Sequence, residues 1–142
     1  MDKKIVLVSH GKLAEGLEYS VGMIFGKSDR LSAFGLMPDG NYLEVVGRIK
    51  QLVESEPATQ FIVVADIFGG SVCNGCMQEI LDEPNVRLVS GMNMPLVLSL
   101  LVGDEAMSDE QIQAAIEEGR QGLMLVEAPK ADEVSDGADD FF

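Results

Sequence analysis

The feature of this sequence that most limits its fold is the regular alternation of short apolar runs with stretches of helical spacing. The runs are rich in Val, Ile and Leu and carry few polar residues. This composition is typical of strands buried on both faces of a parallel sheet. We predict strands at residues 4–9, 31–36, 61–66, 85–89 and 123–126.

Between these strands, apolar residues recur three and four positions apart, as in Leu13, Leu17, Val21 and Ile24. Such spacing places the apolar side chains on one face of a helix. Helices are predicted over residues 13–24, 43–53, 71–81, 96–102 and 108–119. The resulting order, β-α-β-α-β-α-β-α-α-β, predicts an α/β fold with an open, mostly parallel sheet and helices on both of its faces.

The 142 residues suit a single domain, which we place at residues 1–126. The remaining residues, 127–142, form an acidic tail with six acids and one lysine. We predict that this tail is disordered, because its composition is too polar to build a core. The net charge of −14 argues against binding to nucleic acid, which requires a positively charged surface.

The sequence also predicts no membrane insertion. Its longest apolar stretch, near residues 94–102, is far shorter than the roughly 20 residues that a spanning helix needs. The apolar run near the N-terminus, residues 5–8, is too short for the core of a signal peptide. We therefore expect the protein to be cytoplasmic.

Two polar residues follow strands whose carboxyl ends should meet. His10 comes after the first predicted strand and Asp66 ends the third. Ligands of open parallel sheets bind at this edge, where the strand order reverses. A carboxylate at position 66 could hold one nitrogen of the His10 ring and leave the other free as a nucleophile. Gly11, next to His10, would let the backbone approach a ligand closely.

A short glycine segment follows Asp66. Gly69, Gly70 and Ser71 stand before a predicted helix, where backbone N–H groups can cradle an anion. The same residues could equally form a plain strand-to-helix turn with Ser71 as the helix cap. These two interpretations are compatible, because a cap and an anion site use the same atoms.

The two cysteines, Cys73 and Cys76, form a C-x-x-C pair. In an α/β protein such a pair can carry thiol redox chemistry. It can also consist of small core residues on one helix face. Two thiolates are too few for a structural zinc site, so no metal site is predicted.

Three motifs together resemble a known family. They are VSHG at residues 8–11, DIFGGS at residues 66–71 followed by Asn74, and GMNMP at residues 91–95. Over residues 3–126 the chain resembles the mannose-type enzyme IIA of the sugar phosphotransferase system (PTS). The resemblance implies that His10 accepts a phosphoryl group from the phosphocarrier HPr and passes it to enzyme IIB. It also implies that Asp66 orients His10 and that Ser71 contacts the phosphoryl group, with Gly11, Gly69 and Gly70 lining that site.

The resemblance has consequences for assembly. It implies a homodimer in which the last strand is antiparallel and exchanged between subunits. Enzyme IIB would be a separate chain, and it would link this protein to the IIC/IID permease. No cofactor or metal is expected, because the phosphoryl donor is a protein. The transported sugar is not predicted, because the phosphoryl transfer never touches it.

Three alternatives remain open at this point. The phosphotransferase subunit of dihydroxyacetone kinase is a close relative with a similar early Ser-His pair. A C-x-x-C redox protein would use Cys73 and Cys76 and give His10 no role. A regulatory binding module would carry out no chemistry at all.

Overall fold

The computed structural model describes residues 1–130, and these residues form four strands and five helices. The strands are β1 (Lys3–His10), β2 (Leu31–Leu36), β3 (Gln60–Ala65) and β4 (Val86–Ser90). The helices are α1 (Leu13–Phe25), α2 (Tyr42–Ser55), α3 (Ser71–Glu79), α4 (Met94–Leu101) and α5 (Asp109–Gln121). The first four predicted strands and all the predicted helices are confirmed, with ends that shift by a few residues.

The strands form one parallel sheet in the order β2-β1-β3-β4. The chain first steps from β1 to β2 on one side and then crosses back to place β3 on the other side of β1. Val8 of β1 lies opposite Ala65 of β3, so the carboxyl ends of these two strands meet at one edge. This reversal of strand order is where an open α/β sheet binds its ligands.

The sheet is covered on both faces, which confirms that part of the predicted fold. Alternate residues of each strand point to opposite faces. Ile5 and Leu7 pack with α1, α4 and α5 on one face, while Val6 and Val8 pack with α2 and α3 on the other. Because the inner strands are buried on both faces, their sequences are apolar at nearly every position.

The final strand predicted at residues 123–126 is not part of this sheet. All four of its residues are exposed, and Leu125 reaches 91% exposure. A strand requires a partner, and in the single chain this segment pairs with none of the four strands. An antiparallel strand exchanged with a second copy therefore stays a prediction.

The acidic tail is described only in part. Residues 127–130 are exposed and outside any helix or strand. The rest of the predicted tail, residues 131–142, lies outside the described residues, so its predicted disorder stays a prediction. In residues 1–130, no helix has the length and apolar character that crossing a membrane requires.

Candidate functional site

His10 and Asp66 meet at the carboxyl edge of the sheet, as the sequence predicts. His10 is the last residue of β1, and Asp66 directly follows β3. The Asp66 backbone N–H donates to the carbonyl oxygen of Val8 at 3.1 Å, which extends the pairing of the two strands to the site. The sheet thus fixes both backbones, and the two side chains are brought together by strand register.

One carboxylate oxygen holds His10 at two points. Asp66 Oδ2 lies 2.9 Å from the backbone nitrogen of His10 and 2.9 Å from its ring Nδ1. Burial alone would raise the pKa of Asp66, but the hydrogen bonds from the His10 backbone and ring outweigh it and hold that pKa below its ordinary value. Asp66 is therefore ionised near neutral pH and can only accept hydrogen bonds.

This pairing decides which ring nitrogen of His10 is available. Because Asp66 only accepts, Nδ1 carries the proton and Nε2 keeps its lone pair in the neutral ring. The side chain of His10 is 49% exposed, whereas that of Asp66 is 9% exposed. No hydrogen bond within residues 1–130 engages Nε2. The site therefore presents an oriented, solvent-accessible nucleophile.

The turn after His10 is held from two sides. Gly11 adopts a positive φ of 58°, and its N–H donates to the carbonyl oxygen of Leu36 at 2.7 Å. Ser9 is buried, and its hydroxyl oxygen accepts from the N–H of Ala14 at 2.8 Å. Gly11 thus lies at the site, but its N–H is already used, so what it contributes is the turn that α1 follows.

The glycine segment lies directly against the His10 ring. A β-carbon at Gly70 would stand 3.1 Å from His10 Cε1, and Gly69 adopts a positive φ of 86°. The side-chain amide of Asn74 donates to the carbonyl oxygen of Gly69 at 3.2 Å and fastens the loop to α3. The loop therefore places the start of α3 beside the ring.

The start of α3 offers free donors next to His10. Gly70 is the N-cap residue, and no side chain caps the first turn. Helices leave their first N–H groups without partners inside the helix, and these groups attract anions. Within the described residues the hydroxyl of Ser71 makes no hydrogen bond, so it too is available. Gly69, Gly70 and Ser71 are thus grouped as the sequence predicts.

The third motif, GMNMP, has a structural explanation. Asn93 caps α4 by accepting from the N–H of Leu96 at 3.1 Å. Its side-chain amide donates to the carbonyl oxygen of Gly119 at 2.7 Å, which ties α4 to α5. The motif follows β4, one strand farther along the sheet from Asp66. It therefore holds α4 and α5 in place behind the strand next to β3.

Sequence reasoning missed two kinds of residue. Gly35 of β2 faces the turn, and a β-carbon there would overlap the carbonyl oxygen of Gly11. Ile67 and Phe68, between Asp66 and Gly69, are 57% and 72% exposed. For Ile67 and Phe68, the sequence did hold a signal, because two apolar residues stand together in a predicted loop. Exposed apolar side chains beside a reactive group are typical of a surface that meets another protein.

The C-x-x-C pair does not form a reactive thiol site. Cys73 and Cys76 are both free and buried, 1% and 0% exposed, in the core between the sheet and α3. Burial, with a smaller effect of neighbouring Cys73, raises the pKa of Cys76 to about 12. Reactive thiols have lowered pKa values and access to solvent, so this geometry argues against the redox alternative.

The titratable side chains of the described residues are spread apart. Across residues 1–130, no group of three or more His, Cys, Asp and Glu side chains is placed to hold a metal ion. The His10–Asp66 pair supplies two such groups, fewer than the ligand sets typical of zinc sites.

Comparison with known proteins places this geometry in a family. The chain is 25% identical over 127 residues to the PTS system mannose-specific EIIAB component of Escherichia coli K12, covering 87% of this chain and 39% of that protein. It is 25% identical over 107 residues to the PTS system sorbose-specific EIIA component of Klebsiella pneumoniae, covering 75% of this chain and 78% of that protein. The chain thus spans 39% of the length of the mannose-specific relative.

A solved structure agrees with these relatives. The PTS IIA protein associated with the fucose utilization operon from Streptococcus pneumoniae superposes with a TM-score of 0.78 and 26% identity, over 88% of this chain and 93% of that one. The model of the EIIA-man family, described as PTS system fructose IIA component, matches residues 4–118. Since this match covers most of the 142 residues, the chain belongs to the EIIA-man family of phosphotransferase-system IIA components.

Proposed function

We propose that this protein carries a phosphoryl group on His10, taking it from phospho-HPr and passing it to enzyme IIB. The observation that carries the proposal is the 2.9 Å contact between His10 Nδ1 and Asp66 Oδ2, which leaves Nε2 free and exposed. The family supports the sugar phosphotransferase system as the setting. The protein would accordingly act as a phosphotransferase through a phosphohistidine intermediate.

The chemistry needs one nucleophile and no change of oxidation state. The lone pair on Nε2 attacks the phosphorus of the donor phosphohistidine, and a new N–P bond forms. The N–P bond of the donor breaks, and its electron pair returns to the donor imidazole. The proton on Nδ1 stays hydrogen-bonded to Asp66 throughout, so the ring keeps its orientation while it gains a charged substituent. The reverse sequence, with enzyme IIB as the attacking partner, discharges His10.

The surroundings of His10 suit a doubly charged phosphoryl group. Positioning and charge stabilisation account for most of the catalysis in phosphoryl transfer. The uncapped start of α3 offers N–H groups and the positive end of the helix dipole. We assign phosphoryl contacts to Ser71 and to the backbone at Gly69. The N–H of Gly70 donates to the carbonyl oxygen of Ile67 at 3.4 Å, so Gly70 lines the site through its lack of a side chain beside the ring. Gly11 serves by shaping the turn that carries His10.

The exposure of the site fits a protein partner better than a small substrate. His10 stands on an open edge of the sheet, and exposed Ile67 and Phe68 flank it. Under this proposal the partners are HPr, enzyme IIB and, through IIB, the IIC/IID permease, and the protein works in the cytoplasm as a homodimer. Related proteins are named as mannose-, sorbose- and fructose-specific components of the PTS. These names favour the sugar phosphotransferase system over dihydroxyacetone kinase.

Phosphate labelling tests the proposal directly. The purified protein is incubated with enzyme I, HPr and labelled phosphoenolpyruvate, and acid-labile phosphate on the protein is counted. We expect one phosphate per chain, lost again when a cognate enzyme IIB is added. His10→Gln should fold normally and take up no label, since the chain holds no second histidine. Labelling of His10→Gln at the wild-type rate would overturn the proposal.

A further inference from the structure

We propose that Gly35 and Ser9 are positioning residues that set the ring of His10 against Asp66. Neither residue is placed in contact with the phosphoryl group. Both act on the turn between β1 and α1, Gly35 from the neighbouring strand β2 and Ser9 from β1 itself. The effect on transfer rests on the proposed function, whereas the effect on the His10 ring can be measured without it.

Gly35 acts through the space that it leaves empty. In the register of β1 and β2, Ser9 lies opposite Gly35 and His10 lies opposite Leu36. A β-carbon at position 35 would overlap the carbonyl oxygen of Gly11 and stand 3.2 Å from Cε of Met37. The methionine tip can rotate away, but the Gly11 carbonyl is backbone, and the N–H of Gly11 ties that residue to β2 by donating to the carbonyl oxygen of Leu36. Any side chain at position 35 must therefore move the turn.

Ser9 acts through its hydroxyl group. Its side chain is fully buried, and Oγ accepts the N–H of Ala14 at 2.8 Å. Helix α1 begins after Lys12, which makes no capping bond with its side chain. Ser9 thus supplies the capping acceptor from three residues upstream of that position. Its removal frees the first turn of α1 from the strand that carries His10.

Movement of the turn reaches the ring because a single oxygen anchors His10. Asp66 Oδ2 accepts both the backbone N–H and the ring N–H of His10, at 2.9 Å each. Asp66 itself is fixed by its own backbone bond to Val8. Because the Asp66 backbone is fixed and its side chain is short, a shift of the His10 backbone changes the geometry of both bonds to Oδ2, and we expect the ring bond to lengthen. A weaker ring bond lets the proton move from Nδ1 to Nε2, which removes the nucleophilic lone pair.

The single histidine of the chain makes this measurable. Imidazole nitrogen-15 NMR of the full-length protein gives one pair of ring signals, and their separation reports the fraction of the ring protonated at Nδ1. We compare wild type with Gly35→Ala and Ser9→Ala. Gly47→Ala is the matched glycine control, because a β-carbon there meets nothing within 4 Å. Val53→Ala is the stability control. Val53 is buried in the last turns of α2, and the residue that ends this helix, Glu56, pairs with Lys4 at the start of β1, at the opposite edge of the sheet from His10.

The expected result separates positioning from general destabilisation. Gly35→Ala should move both ring signals toward those of an unrestrained neutral imidazole and slow phosphoryl transfer roughly tenfold or more, as small misplacements of reacting groups do. Ser9→Ala should do the same to a smaller extent. Gly47→Ala and Val53→Ala should leave the ring signals at their wild-type positions. This should hold even if Val53→Ala lowers the melting temperature as much as Gly35→Ala or Ser9→Ala does.

Two results would overturn the inference. One is wild-type ring signals in folded Gly35→Ala and Ser9→Ala. The other is an equal displacement of the signals in Val53→Ala. Where Gly35→Ala fails to fold, Ser9→Ala decides by the same comparison, because it removes one oxygen and creates no clash. If the wild-type protein accepts no phosphate, the proposed function fails, and the ring signals still test the positioning.

Discussion

Gly70 packs against the imidazole ring of His10, so closely that a β-carbon on residue 70 would stand 3.1 Å from Cε1 of that ring. The backbone of Gly70 itself is ordinary, with φ −75° and ψ 163°, angles that any residue adopts. The glycine is therefore required by its neighbour and not by its own conformation. The distance between α3 and the His10 ring depends on it.

Gly70→Ala should slow phosphoryl transfer without unfolding the protein. The new methyl group meets both His10 Cε1 and Ile67 Cγ2, at 3.1 and 2.9 Å, and pushes the ring away from the start of α3. We expect a loss of about tenfold in the transfer rate from phospho-HPr. Rapid-quench labelling measures it, with Gly47→Ala as the control. A wild-type rate in Gly70→Ala would show that the ring moves freely over residue 70.

Asp66→Asn should retain the shape of the site but impair its chemistry. An amide can turn its NH₂ toward Nδ1, and the ring then carries its proton on Nε2 instead. We expect transfer to slow by on the order of a hundredfold, less than the loss measured for the equivalent change in hydrolase triads. Single-turnover labelling from phospho-HPr checks this. An unchanged rate would mean that the hydrogen bond to Asp66 does not govern which nitrogen reacts.

Asp66 should also contribute to stability in a pH-dependent way. Because the folded protein holds the pKa of Asp66 below its ordinary value, folding favours the ionised carboxylate. That contribution is complete above the pKa of the unfolded chain, about 4, and is lost as the pH falls through the folded value. At pH 7 the wild-type protein should have a higher melting temperature than Asp66→Asn, and this difference in melting temperature should shrink at about pH 3. Asp82→Asn, at an exposed position, is the control. A difference that grows in acid would contradict the assignment.

The cysteines should be dispensable for transfer. Cys73→Ser with Cys76→Ser places two hydroxyl groups in an apolar core and should cost about 1–2 kcal/mol of unfolding free energy. Chemical denaturation measures this loss, and labelling from phospho-HPr should proceed at close to the wild-type rate. In the native wild-type protein, both thiols should react slowly with Ellman's reagent. Phosphate uptake that depends on the redox state of the protein would restore the redox hypothesis.

The exposed segment 123–126 should hold a homodimer together. Its four apolar side chains face solvent in the single chain, and an apolar strand left uncovered invites association. Truncation after Lys130 should leave a dimer, whereas truncation after Gly122 should give monomers or aggregates, as measured by light scattering at micromolar concentration. A monomeric full-length protein would count against strand exchange, while leaving the phosphoryl transfer untouched.

The sequence predicted the sheet and the central pair for a physical reason. Strands buried on both faces must be apolar along their length, so β1 and β3 were visible as uninterrupted runs. Polar residues that end such runs fall on one edge of a parallel sheet, so the sequence alone places His10 and Asp66 close together. Local spacing alone was enough for this part of the site.

The sequence could not show what depends on contacts between distant segments. Gly35 matters because the carbonyl of Gly11 occupies the place of its side chain, and 24 positions separate the two residues. Nothing near Gly35 distinguishes it from a glycine that weakens an edge strand. From the sequence, Ser9 is only the polar residue that ends a predicted strand. Its hydrogen bond to Ala14 exists only once the turn has formed, so the sequence does not show it. The segment 123–126 has a strand-like sequence, but it pairs with no strand of the described chain, and local sequence does not show whether a partner exists.

The close packing of Gly35 against Gly11 and of Gly70 against His10 enlarges the target for inactivating mutations. Every amino-acid substitution at a glycine adds bulk, so a missense change at Gly70 crowds the His10 ring and one at Gly35 crowds the turn that follows it. If the protein carries a phosphoryl group as proposed, genes that lose this activity in a population should carry lesions at these glycines as well as at the histidine codon. A survey that scores only the reacting side chains would class such alleles as intact.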